Sequence, residues 1–126
     1  MSGIEEKDRY RKDGDTATYV YNQPIPISSY LIAMCVGVVE EHRISPRCSI
    51  WSEVEDLERC AKEFEDIEKM VQVAETINGP YVWGRYDLLV LPPSFPYGGM
   101  ENPNLTFVTP SLVVGDKSLV NVVLHE

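Results

Sequence analysis

From Ser52 to Gly79 the apolar residues Val54, Leu57, Ala61, Phe64, Ile67, Val71, Ala74 and Ile77 recur every three or four positions. That spacing places them on one face of an α-helix and leaves the other face to Glu53, Glu55, Glu58, Glu63, Glu65 and Glu68. Ser52 with Glu55 three residues on has the pattern of a capping box. Asn78-Gly79-Pro80 supplies a stop, because glycine reaches left-handed backbone and proline cannot continue a helix. The spacing predicts one amphipathic helix of about seven turns. Its acidic face reads as solvated surface.

The flanking sequence has strand character. Thr16 to Gln23 alternates Tyr19 and Tyr21 with Thr18, Val20 and Asn22, which suits an edge strand. Pro24 and Pro26 should break that ladder. Ser29 to Val39 is an apolar, β-branched run that predicts a strand buried on both faces, with Gly37 as a bulge or close approach. Ser49–Trp51, Tyr86–Leu91 and Leu105–Val108 are shorter strand candidates. Asp116 is placed to cap a final helix starting near Lys117, with Leu119, Val122 and Val123 as its apolar side. Residues 1–15 read as a polar loop or frayed start. The class expected is α+β, with residues 1–51 as closing strands of a β-domain and residues 52–126 as the first part of a second domain.

A net charge of −9 and a pI near 4.6 argue against nucleic acid, since phosphate binding needs clustered Lys and Arg. The run Tyr30 to Val39 is about half of the roughly 20 residues a spanning helix requires. Charge crowds Ile4 to Asp15, so no secretory h-region is expected there. Cys35, Cys48 and Cys60 have no metal or disulfide spacing and read as packing residues of a reducing, cytoplasmic compartment.

Two short segments carry candidate chemistry. Phe95-Pro96-Tyr97-Gly98-Gly99-Met100-Glu101-Asn102 lies in a stretch stiffened by prolines. Adjacent glycines let a ligand reach the backbone, and Glu101 could offer a carboxylate to a cation held there. A rigid turn with a solvated glutamate is the plain alternative. His125-Glu126 stand at the end of the sequence. A zinc helix needs His at i and i+4 with Glu beside the first, and here the i position stands alone. A surface or packing histidine is the alternative reading.

Longer stretches add a resemblance. Pro24-Ile25-Pro26-Ile27-Ser28-Ser29-Tyr30-Leu31-Ile32-Ala33, Gly79-Pro80-Tyr81-Val82-Trp83-Gly84-Arg85-Tyr86-Asp87-Leu88-Leu89, Leu91 through Pro103, and Gly115-Asp116-Lys117-Ser118-Leu119 resemble the zinc aminopeptidases of the leukotriene A4 hydrolase type, to which aminopeptidase B is close. The resemblance implies the tail of an N-terminal β-sandwich-like domain joined to the start of a thermolysin-like catalytic domain. It implies that Glu101 binds the free α-amine of a peptide, and that Pro96, Tyr97, Gly98, Gly99 and Met100 form the substrate wall. His125 would be the first zinc ligand and Glu126 the proton acceptor for the attacking water. Implied partners are peptides with a free N-terminal amine and, in one branch, a lipid epoxide.

The family pattern continues His-Glu-x-x-His, with a third ligand glutamate and a tyrosine beyond. Those positions are missing, as are the glutamine contacts of the β-domain. The expectation is therefore an internal piece of a metalloaminopeptidase that is inactive by itself. The rivals are an aminopeptidase B-like parent preferring basic N-terminal residues, and a short non-catalytic isoform acting as an interaction module.

Overall fold

The computed structural model describes residues 1–126. Its centre is a five-stranded mixed sheet ordered β5-β6-β7-β9-β8. The strands are β5 (Glu40–Arg43), β6 (Cys48–Ser52), β7 (Tyr86–Val90), β8 (Gly99–Met100) and β9 (Leu105–Val108). Two smaller pairs precede it: β1 (Ile4–Glu5) with β4 (Tyr21–Asn22), and β2 (Arg11–Asp13) with β3 (Thr16–Thr18). Three helices complete the chain, α1 (Leu57–Glu63), α2 (Ile67–Asn78) and α3 (Asn121–His125). The class is α+β, as expected. No helix is long and apolar enough to cross a membrane.

Strands β6, β7 and β9 pair in parallel, and such pairs need long crossovers. The first crossover is the helical stretch between β6 and β7. It follows the expected course but bends: a turn at residues 64–66 separates α1 from α2. The apolar stripe survives the bend, with Cys60, Phe64, Ile67 and Val71 buried against Ile50, Leu88 and Val90 of the sheet. Gly79 ends α2 at φ 87°, a left-handed value that favours glycine, and its N–H donates to Glu75 O.

Several expectations need correction. Ser52 does not cap the helix: it closes β6, its hydroxyl donates to Glu53 O, and α1 starts at Leu57. Residues 1–15 are not a loop, because β1, β2 and a 3₁₀ turn at Lys7–Arg9 order them. Ser29–Val39 is not a buried strand. It is a 3₁₀ turn at Ser29–Leu31 followed by irregular chain, with Ile32, Met34, Val36 and Val38 each at least 65% exposed. Its backbone bond to a distant segment is Ser2 N–H to Ala33 O, too little to build a ladder. The final helix starts at Asn121 rather than near Lys117, because Asp116 accepts from Ser118 N–H in a tight turn. Apart from these corrections, Trp51 and Ser52, where the two expected domains meet, both lie in β6, so the sheet with β5 on one side and β7 on the other runs across that point.

Arg47 fastens the β5–β6 turn to α2. Its guanidinium meets Glu75 with two hydrogen bonds of 2.9 and 2.8 Å and Glu68 at 3.1 Å. Burial resists ionisation of Glu68, but hydrogen bonds from Arg47, Ser45, Gln72 and Cys48 outweigh it and hold the carboxyl at about 2. The Arg47 bonds, with Tyr81 N–H, hold Glu75 at about 2 as well. Both values lie below the ordinary 4.5, so the unfolded chain takes up protons first as pH falls. The stability they contribute is complete above pH 4.5 and is lost progressively toward pH 2. Urea midpoints measured across that window should fall steeply in the native chain. Arg47→Met should flatten this dependence, and an unchanged slope would remove Arg47 from its cause.

Candidate active site

The proline-rich segment after β7 passes beyond β9 and returns as β8, the edge of the sheet. Its path is fixed by aromatic rings. Tyr97 meets Phe95 edge-on at 5.8 Å between centroids, and Phe95 meets Phe107 of β9 at 6.2 Å. The wall formed by Pro96, Tyr97 and Gly98 is exposed. Gly99 and Met100 pair antiparallel with Val108 and Phe107, and Thr109 N–H donates to Gly98 O at 3.0 Å. In such a ladder alternate residues bond inward, so with Gly98 and Met100 turned to β9 the amide and carbonyl of Gly99 face the open edge.

After β8 the chain turns sharply, and asparagines hold the turn. Asn102 is buried, and its side-chain amide donates to Leu105 O while its backbone carbonyl accepts from Leu105 N–H. Asn104 sits at φ 66° and sends its amide to Trp83 O at 2.9 Å and Arg85 O at 3.1 Å. Its side-chain oxygen accepts from Gln23 at 2.9 Å, which ties the N-terminal pairs to this corner. Glu101 stays exposed at the end of β8.

Helix α3 brings His125-Glu126 to the same edge. Val123 is buried in the core, and Val122 packs toward Gly98. Glu126 lies directly over Gly99: a Cβ there would fall 2.6 Å from Glu126 Cγ and Cδ, with Oε1 closer still. Gly99 therefore has its small size for close approach. Burial, and next the charge of Glu101, push the Glu126 carboxyl above the usual range, with His125 opposing. The structure thus gathers Gly98, Gly99, Met100, Glu101, His125 and Glu126 at one sheet edge. Pro96 and Tyr97 border it.

A cavity of about 390 Å³ opens on the α2 side, lined by Tyr81, Trp83, Tyr86, Val123, His125 and Glu126 among others. Trp83 Nε1 and Tyr86 OH are buried in its wall without a hydrogen-bond partner. No group of three His, Cys, Asp or Glu side chains on the chain is placed to hold a metal ion. Zinc needs three or four protein ligands, so the residues present do not make a zinc site by themselves.

Sequence reasoning missed the second polar group beneath the sheet. Arg85 bonds Asp87 at 2.9 Å, Glu41 at 2.7 Å and Ser49 at 2.6 Å, and Trp51 Nε1 donates to Asp87 at 3.3 Å. Only the alternation of β7 could have signalled it, since Asp87 interrupts an apolar strand.

Comparison with known proteins matches this fold. The chain is 55% identical to leukotriene A-4 hydrolase of Xenopus laevis over 116 residues, 92% of this chain and 19% of that protein. It is 44% identical to aminopeptidase B of Mus musculus over 127 residues, again 19% of that protein. The native yeast LTA4 hydrolase structure superposes with a TM-score of 0.86 at 44% identity, covering 98% of this chain and 19% of that one. The yeast enzyme in complex with Bestatin gives 0.88 at 43% identity over the same shares. The chain thus spans about a fifth of the length of the relatives it matches. The Peptidase family M1 domain matches residues 63–126, just over half the chain and the part that builds α2, β7–β9 and α3. The chain belongs to peptidase family M1.

Proposed function

We propose that this chain supplies the amine-anchoring wall and the first part of the hydrolytic centre of an aminopeptidase. The carrying observation is the placement of Glu126 over Gly99, beside the open backbone of β8 and within the field of Glu101. An extended peptide would add to that edge and bond to the amide and carbonyl of Gly99. Glu101, at the strand end, would bind the ammonium of the first residue, a charge-assisted contact worth about 1.5–3 kcal/mol. Glu126, whose carboxyl burial and then Glu101 push above the usual range, would take the proton of the attacking water. His125 is one donor suited to zinc, whose remaining ligands these residues do not provide. Residues 1–51 would belong with the β-domain of such an enzyme and residues 52–126 with its catalytic domain, the shared sheet forming the junction. Three free thiols support a reducing compartment such as the cytoplasm.

The 126-residue chain should bind zinc below stoichiometry and leave an aminoacyl-anilide intact. Embedded in a polypeptide with a complete His-Glu-x-x-His centre, it should support cleavage of the free-amine substrate and not of its N-acetyl form. Glu101→Gln there should lower kcat/KM by about ten- to a hundredfold, the value of the lost ammonium contact. In the same variant the Glu126 carboxyl should titrate lower, because a neighbouring negative charge is gone. Equal cleavage of the acetylated and free substrates would overturn the amine-anchoring role. The identity to the Xenopus protein supports a second reading, hydrolysis of a lipid epoxide, tested by product formation in the same polypeptide.

A further inference from the structure

We propose that Glu63 is a positioning residue: its buried carboxylate clamps the loop that aims α3, and with it His125-Glu126, at Gly99. The functional meaning of this clamp rests on the aminopeptidase reading. The clamp itself rests on geometry.

Glu63 closes α1 and, against the expectation that it belongs to a solvated acidic face, is 2% exposed, yet no lysine or arginine pairs with it. A buried carboxylate without partners is costly, so something must compensate. Backbone does. One oxygen accepts Gly115 N–H at 2.8 Å and the other accepts Lys117 N–H at 2.8 Å. The loop between those amides is held in an uncommon shape, with Gly115 at φ 93° and Lys117 at φ 60°. Lys117 is a non-glycine residue in left-handed backbone, which persists only where the surroundings enforce it. Its ammonium is held too, 2.6 Å from Glu65 and 2.8 Å from Asp66. Those two carboxylates stand in the turn between α1 and α2. The bend of the long helix therefore presents three anchors of the clamp: one buried on backbone, two flanking on charge.

Helix α3, which the chain enters soon after this loop, needs outside support. It has five residues, and its N-cap Val120 offers no side-chain bond. A helix so short has little stability of its own, so its direction is set by what holds its ends. At the far end Glu126 fills the space over Gly99. The helix is about 8 Å long, so a modest tilt at the loop would carry the Glu126 carboxylate off its seat.

The test compares native chain with Glu63→Gln, which keeps the shape but turns one acceptor into a donor facing an N–H. Amide exchange at Gly115 and Lys117 should accelerate by about tenfold or more, the value of a lost charged bond. The proton contact between Gly99 Hα and the Glu126 Hγ protons should weaken in nuclear Overhauser spectra, while amides of β6 and β7 keep their protection. Faster loop exchange with the Gly99–Glu126 contact intact would reduce Glu63 to a stabilising role and overturn the proposal. Lys117→Met covers the case in which Glu63→Gln does not fold, since it removes the flanking ion pairs and leaves Glu63 in place. It should loosen the same contact to a smaller degree, and an unchanged contact would again overturn the clamp.

In a polypeptide with the complete centre, Glu63→Gln should lower kcat by about tenfold, as small misplacements of reacting groups do, with KM nearly unchanged because Glu101 is not touched. Loss of KM alone would contradict positioning. Absence of turnover in the native polypeptide would count against the aminopeptidase reading, and the exchange and contact measurements would still decide the clamp.

Discussion

Gly99→Ala should expel Glu126 from its seat while leaving the fold intact. The added Cβ would lie 2.6 Å from Glu126 Cγ and Cδ, a separation real atoms do not adopt. The backbone at Gly99 is ordinary strand, paired with Val108, so alanine costs nothing in conformation. The obstacle is the far end of a flexible side chain. The side chain, not the sheet, should move. The expected change in stability is within about 1 kcal/mol, as for substitutions outside the buried core. The change at the site should be far larger. With Glu126 swung into water, the burial that raises its carboxyl is lost, and its titration should fall back toward the ordinary range. Carbon-detected titration of the Glu126 carboxyl reads this directly. In a polypeptide with the complete centre, turnover should fall by about a hundredfold, the scale attached to an ångström of misplacement. Unchanged Glu126 titration together with unchanged turnover would show that Gly99 is not its seat.

Much of this arrangement was legible in residue order, and the exceptions share a physical cause. The helical stripe at Phe64, Ile67 and Val71 was visible because these positions face one core, whatever bends between. Leu105–Val108 and the stop at Gly79 were equally plain, since local chemistry decides both. The juxtaposition of Glu126 with Gly99 was not derivable from spacing, because it depends on β8 folding back outside β9. Ser29–Val39 misled for the opposite reason. Its composition describes a strand, but a strand needs partners, and Ser2 alone meets it through one backbone bond. The bend at residues 64–66 escaped because the apolar spacing runs through it unbroken; Glu65 and Asp66 in that turn meet Lys117, some fifty positions away. Periodicity reports which face is buried. It does not report where the helix turns between two buried positions.

Leu88→Ala should be the most destabilising single truncation in the sheet, and its neighbour supplies the control. Leu88 lies mid-strand in β7, opposite Ile50 of β6 and Thr106 of β9, and is fully buried among the residues that α1 and α2 cover. Strands on both sides and helices above leave no room for collapse, so the cavity should persist. The expected loss is about 2–5 kcal/mol, toward the upper end because relaxation is blocked. That is a large share of the roughly 5–15 kcal/mol typical of a folded domain. Leu89 is almost as buried but points to the opposite face. There it lines a cavity of about 470 Å³ with Trp51, Arg85 and Asp87. Truncating a side chain that already borders open space removes fewer contacts, so Leu89→Ala should fall near the lower end of the same range. Urea unfolding of the two variants separates them: a midpoint for Leu88→Ala below that of Leu89→Ala, at equal slopes, is the expected result. The reverse order would mean that the helices do not seal the upper face, and that the core lies instead beneath the sheet.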